Sequence, residues 1–91
     1  MNRKEALLLL KQHVTTDQLL RHSLAVEGSM IAYAKKNGED EEHWGLIGLL
    51  HDIDFEEHPD EHPKKAPEYL VGFDQDFIDT ILSHGLNSDI P

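Results

Sequence analysis

The sequence predicts an all-α fold, a single bundle of about five helices. Three observations predict it. Apolar residues recur at steps of three and four, the spacing that lines one face of a helix. Residues that start helices (Asn2, Asp17, Asp40, Asp74) and glycines that stop them (Gly38, Gly85) punctuate the chain at helix-length intervals. No stretch alternates apolar with polar residues as a strand would, and no repeat or low-complexity tract interrupts the pattern.

Asn2 with Glu5 three residues on forms a capping box, so a first helix is expected from about Arg3 to about His13. Val14-Thr15-Thr16 is β-branched and weak in helices, and reads as a connector. Asp17 or Thr16 caps a long second helix to Lys36, with Leu19, Val26, Met30 and Tyr33 as its apolar stripe. Asn37-Gly38 ends it, because glycine enters the left-handed region cheaply. Asp40 caps a third helix, with Glu41 and Glu42 in the dipole-favoured first turn and Trp44, Ile47 and Leu50 on its apolar side. That helix ends near His51–Asp54. Phe55 to Pro63 is acidic, carries two prolines and reads as a loop. A fourth helix starts between Pro63 and Pro67 and carries Ala66, Tyr69 and Leu70. Asp74 or Asp76 caps a fifth, with Phe77, Ile78, Ile81 and Leu82, which stops at Gly85 before a frayed tail.

Composition narrows the function. At 91 residues the chain fits one domain, and 38% apolar with 29% charged residues is the balance of a folded chain, not a disordered one. A net charge of −10 repels nucleic-acid backbones and anionic lipid, so neither is an expected partner. A bound dication can reverse that field locally, which keeps small anionic substrates in play. The chain has no cysteine, which excludes disulfides and thiolate metal sites and suits a reducing cytoplasm. The apolar run Leu7–Leu10 is too short for a membrane span or a signal peptide, and reads as core helix.

Seven histidines are present, and their placement matters more than their number. His22 lies three after Leu19 and four before Val26. His51 lies four after Ile47, and His84 three after Ile81. Three helices thus each aim an imidazole from an apolar face, where burial is costly unless the ring is paired. One such histidine is more often a satisfied core residue than a ligand. Three of them, with Asp52 directly after His51, favour a shared divalent ion, and imidazole with carboxylate suits iron, manganese, nickel, cobalt or zinc. Neighbours on a helix point about 100° apart, so His51 and Asp52 can ligate one ion only near a helix end. His13, His43 and His58 read as helix-end or solvated residues, the run Glu39–Glu42 as a solvated helix start, and Trp44 as core.

The segments His22-Ser-Leu-Ala-Val-Glu, Gly45-Leu-Ile-Gly-Leu-Leu-His51-Asp52-Ile-Asp54, His62-Pro-Lys-Lys-Ala-Pro-Glu-Tyr-Leu and Ile81-Leu-Ser-His84, in this order, resemble the HD domain superfamily, named for its paired His and Asp. The resemblance runs from about Leu20 to Gly85 and implies a helical, metal-dependent phosphohydrolase acting on nucleotides or other phosphate esters. It implies His22, His51 and Asp52 as metal ligands. It matches His62 and His84 to two further histidines, which in some members hold a second metal and in others lie near the substrate phosphate. Asp54 falls where many members have glycine, and either serves the site or caps the helix end. The family completes its site with an aspartate from a later helix. Asp89 comes too early for that role, so residues 1–91 are expected to form an HD-type domain without the family's C-terminal helices, one carboxylate short and inclined to self-associate through exposed apolar surface.

The expected activity is metal-assisted phosphate-ester hydrolysis, with Asp52 ligating the ion and orienting water and His62 or His84 offsetting charge or protonating the leaving oxygen. Its cofactor would be a divalent ion (Mn, Fe, Mg, Ni, Co or Zn), and its substrate a small phosphorylated molecule such as a nucleotide. Lys64, Lys65 and Arg21 are the nearest basic residues by sequence, with surface positions as the plainer reading. The alternative is a non-catalytic HD fragment that binds metal or nucleotide or dimerises. A structural bundle whose histidines pair among themselves or with acids is the third reading.

Overall fold

A computed structural model describes residues 2–83. Five helices are present among them and no strand: α1 (Arg3–His13), α2 (Asp17–Asn37), α3 (Glu41–Leu50), α4 (Ala66–Tyr69) and α5 (Gln75–Ser83). None is long and apolar enough to cross a membrane.

The starts and stops follow the local chemistry. The Asn2 side chain accepts from the Glu5 amide at 2.8 Å, and the Glu5 carboxylate accepts from the Asn2 amide at 3.0 Å, closing the capping box. Thr16 is the N-cap of α2, but its side chain makes no capping bond. Gly38 ends α2 at φ 69°, the left-handed conformation that costs glycine little. Asp40 accepts from the Glu42 and His43 amides, and Asp74 from the Phe77 amide. The fourth helix is a single turn. The loop before it runs as successive turns from His51 to Lys65.

The third helix is the centre. Every residue from Gly45 to Asp54 is buried, and α1, α2 and α5 all pack on it. A short helix that is apolar on nearly all sides belongs inside, and α3 obeys that rule. Leu10, Val26, Met30, Ile47, Leu50, Leu70, Phe77 and Ile81 close the core around it.

Glycines set how near α2 comes. A Cβ on Gly48 would stand 2.8 Å from the Val26 carbonyl oxygen and 2.9 Å from Met30 Cγ. One on Gly45 would stand 2.9 Å from Ile31 Cγ1. The helices run antiparallel, so a step of three along α3 matches a step of four back along α2. One turn beyond Gly48 on α3 is His51, and one turn before Val26 on α2 is His22. Their rings come to 5.4 Å between centroids.

The apolar stripe of α2 is rotated from the one the spacing suggests. Its buried residues are Ser23, Val26, Glu27, Met30 and Ala34. Tyr33, expected on the stripe, is half-exposed and meets Trp44 edge-on at 5.7 Å. Trp44, expected in the core, is half-buried against it. Both shifts have one cause. With glycines at the contact, α3 presses on the backbone of α2, and the large rings are displaced to the rim. Glu27 is buried because Arg3 of α1 grips it with two bonds, Nε at 2.6 Å and Nη2 at 3.0 Å.

Candidate metal centre

The site forms where α3 ends. His51 is the C-cap residue of α3, and its backbone keeps helical angles (φ −62°, ψ −28°). The chain then leaves the helix through turns. That departure aims the neighbouring side chains His51 and Asp52 into one cleft against α2.

Asp52 is the hub. Its Oδ2 lies 3.1 Å from His51 Nε2 and 3.2 Å from His22 Nε2, and its Oδ1 lies 3.0 Å from His62 Nε2. One ligand atom from each of His22, His51 and Asp52 falls within 4.8 Å of the others. The His51 Nδ1–H donates to the Gly48 carbonyl at 2.7 Å, since a carbonyl only accepts. The His51 Nε2 faces the cleft and Asp52 Oδ2. A backbone carbonyl orienting a ligand imidazole in this way is a recurrent support for metal histidines.

The donor set fits a divalent ion. Two ligands about 2.1 Å from one ion, at tetrahedral or octahedral angles, stand about 3.0–3.4 Å apart, and the separations to Asp52 Oδ2 fall in that range. Two imidazoles and a carboxylate leave coordination positions for water or substrate, as catalytic sites do. Such a set does not select among first-row dications.

The electrostatics suit a cation. Burial alone would push the Asp52 carboxyl up. Hydrogen bonds from His51 and His62, and their charges, outweigh it and hold Asp52 well below the usual carboxylate range. His62 moves the other way. Hydrogen bonds to Asp52 and then Asp54 raise it well above the ordinary histidine range, against the effect of burial. Only a doubly protonated ring donates to both, to Asp52 through Nε2 and to Asp54 through Nδ1 at 2.6 Å.

Of the residues singled out in the sequence, His22, His51, Asp52 and His62 come together, while His84 lies outside the described residues. His22 sits at the rim of the α2 stripe with its side chain 38% exposed, which leaves the cluster open to solvent on that side. Asp54 belongs to the site. It is fully buried and accepts from His62 Nδ1 and from the Lys65 amide at 3.2 Å, tying the two ends of the loop together. Lys65 Nζ is paired with Glu68 and Glu61, and Lys64 and Arg21 are exposed.

His13 and His58 lie beside Glu57, Tyr69 and Glu61, outside the ligand group. His43, expected to be solvated, is half-buried edge-on against Trp44 and Phe77, because the start of α5 covers it. Two features escaped sequence reasoning. The Gly48 carbonyl that orients His51 had one signal, a second glycine three residues after Gly45 on a helix where glycine is unfavourable. The cleft beside His22 had none, since Leu19, Phe55, Glu56 and Pro59 meet there only through the turns after α3.

An all-helical domain with a His-His-Asp cluster at the end of its central helix is thus the class that the fold and site define. The sequence profile of the HD domain matches residues 19–91, and the chain belongs to that family. No curated protein and no solved structure matches it.

Proposed function

We propose that this domain is a metal-dependent phosphohydrolase that hydrolyses a small phosphate ester. The observation that carries the reading is the convergence of one ligand atom each from His22, His51 and Asp52 within 4.8 Å, in a chain of the HD family. Its partner is a small phosphorylated molecule and not nucleic acid, whose backbone a net charge of −10 repels. A cytoplasmic setting agrees with the cysteine-free composition.

His22, His51 and Asp52 would hold the ion. When bound, a dication supplies the positive charge that polarises a phosphoryl oxygen and acidifies a water at its open position. The protein's own residues do the rest. Gly48 orients the His51 ring, and the half-exposed His22 edge admits the ester. Asp52 would offer Oδ2 to the ion while Oδ1 stays against His62. As a water oxygen bonds to phosphorus and the ester P–O bond breaks, His62, held between Asp52 and Asp54, would pass its Nε2 proton to the leaving oxygen.

The test is metal content by plasma mass spectrometry on the wild type and on a His51→Ala, Asp52→Ala double variant, followed by phosphatase assays with added manganese, iron or magnesium. About one ion per chain, lost in the variant, together with ester hydrolysis, is expected. No metal after reconstitution would refute the reading. Metal without turnover would leave a metal-binding module in its place.

A further inference from the structure

A cleft of about 520 Å³ opens beside the ligand cluster. Leu19, Phe55 and Pro59 supply its apolar lining, and Thr16, Gln18 and Glu56 line it with polar groups. His22 lines it as well and at the same time faces Asp52 Oδ2, so cleft and cluster are continuous through one imidazole. The volume lies within the range of small-molecule sites, roughly 300–1,000 Å³.

We propose that this cleft seats the organic group of the substrate, and that it selects monoesters of alcohols bearing an apolar ring over polyphosphates. The inference rests on the phosphohydrolase reading of the adjacent cluster. Three features specify the occupant. Leu19, Phe55 and Pro59 make most of the lining apolar despite Gln18 and Thr16, and Phe55 is half-exposed, leaving a ring face for another ring to cover. No lysine or arginine lines the cleft, so a second phosphate placed there would find no counter-charge. Glu56 stands at the end as a fixed anion. The Thr15 amide at 2.9 Å, the Thr16 amide at 3.0 Å and the Thr15 hydroxyl at 2.8 Å hold its carboxylate in place. A di- or triphosphate tail directed into the cleft would meet that charge, whereas an uncharged ring would not.

The experiment separates this inference from the activity that it builds on. Calorimetry on the full 91-residue chain, reconstituted with manganese, would compare phenylphosphonate, methylphosphonate and pyrophosphate. The phosphonates carry a C–P bond and are not hydrolysed. Phenylphosphonate is expected to bind about tenfold or more tightly than methylphosphonate, from burial of the ring, and more tightly than pyrophosphate. Phe55→Ala should shrink the phenyl-to-methyl ratio several-fold. Saturation-transfer NMR with phenol on the metal-free chain reads the cleft with neither metal nor phosphate. Phenol signals that weaken in Phe55→Ala support the cleft even if metal binding and turnover fail. Equal binding of the two phosphonates, or tighter binding of pyrophosphate, would overturn the inference while leaving the hydrolase reading intact.

Discussion

Two glycine-to-alanine substitutions should move stability in opposite directions. Gly28 lies on the exposed side of α2, and a Cβ there meets nothing within 4 Å. Alanine at this helix-interior position removes the entropic penalty of glycine and should stabilise the fold by about 0.5–1 kcal/mol. Gly48 carries the same intrinsic penalty, but its added Cβ would stand 2.8 Å from the Val26 carbonyl oxygen. That atom belongs to the α2 backbone and cannot rotate away, so the helices must separate. Overpacking of this kind costs about 1–3 kcal/mol, leaving a net loss of about 1–2 kcal/mol after the helix gain. For a domain of this size each kcal/mol shifts Tm by roughly 4–8 °C. Thermal unfolding followed by circular dichroism should therefore show Gly28→Ala a few degrees above wild type and Gly48→Ala below it by about 4–15 °C. Gly48→Ala should also weaken metal binding, because the same contact sets the distance between His22 and His51. A Gly48→Ala protein that melts with Gly28→Ala would refute the close-packing account.

Two further outcomes follow from single contacts. Arg3→Ala should destabilise by about 1–2 kcal/mol in urea titration, since it strips the buried Glu27 carboxylate of a two-bond partner. Solvent around the half-exposed Arg3 keeps the loss from being larger. Arg3→Lys, which keeps the charge but loses the fork, should fall between. The Glu56 carboxyl lies below its ordinary value because the Thr15 and Thr16 amides donate to it. A depressed carboxylate contributes stability above its unfolded pKa and loses it as pH falls through the folded one. Glu56→Gln should therefore lose stability at pH 7, and the gap to wild type should close as pH drops below about 4.5. A gap that persists unchanged in acid would show that Glu56 acts through packing and not through its charge.

The elements that the sequence disclosed are those governed by local chemistry. Asn2 with Glu5, Asp40, Asp74 and Gly38 act within one turn of themselves, so the residue types suffice to place the helix ends. His51-Asp52 alone is a weak motif, and it was legible through the order and spacing of the segments around His22, His62 and His84. What stayed hidden depends on how two helices meet. The true face of α2 is centred on Ser23, Val26, Glu27 and Met30, because glycines at 45 and 48 let α3 seat deeply, and hydropathy alone does not reveal that seat. The burial of Glu27 depends on Arg3, twenty-four residues away, and no local pattern in the sequence joins the two. Asp54 was open between cap and site for a similar reason. Its partners, His62 and the Lys65 amide, reach it only after the chain has turned back.

The same geometry ties stability to chemistry. Gly48 has two roles, the first of which a side chain would spoil. Its missing Cβ admits α2, and its carbonyl receives the His51 Nδ1–H. The contact that closes the core therefore also sets the ring angle of His51 and its distance to His22. Asp52 and Asp54 extend the coupling into the loop through His62, whose two ring nitrogens span them. A substitution that loosens the α2–α3 seat should consequently lower metal affinity before it unfolds the domain. Metal should in turn stabilise the fold by mass action, by about 2.7 kcal/mol at one hundred times its Kd, and so raise Tm. A rise in Tm on adding manganese that is lost in His51→Ala but kept in Phe55→Ala would place the stabilising ion at the end of α3 and the cleft outside its coordination sphere.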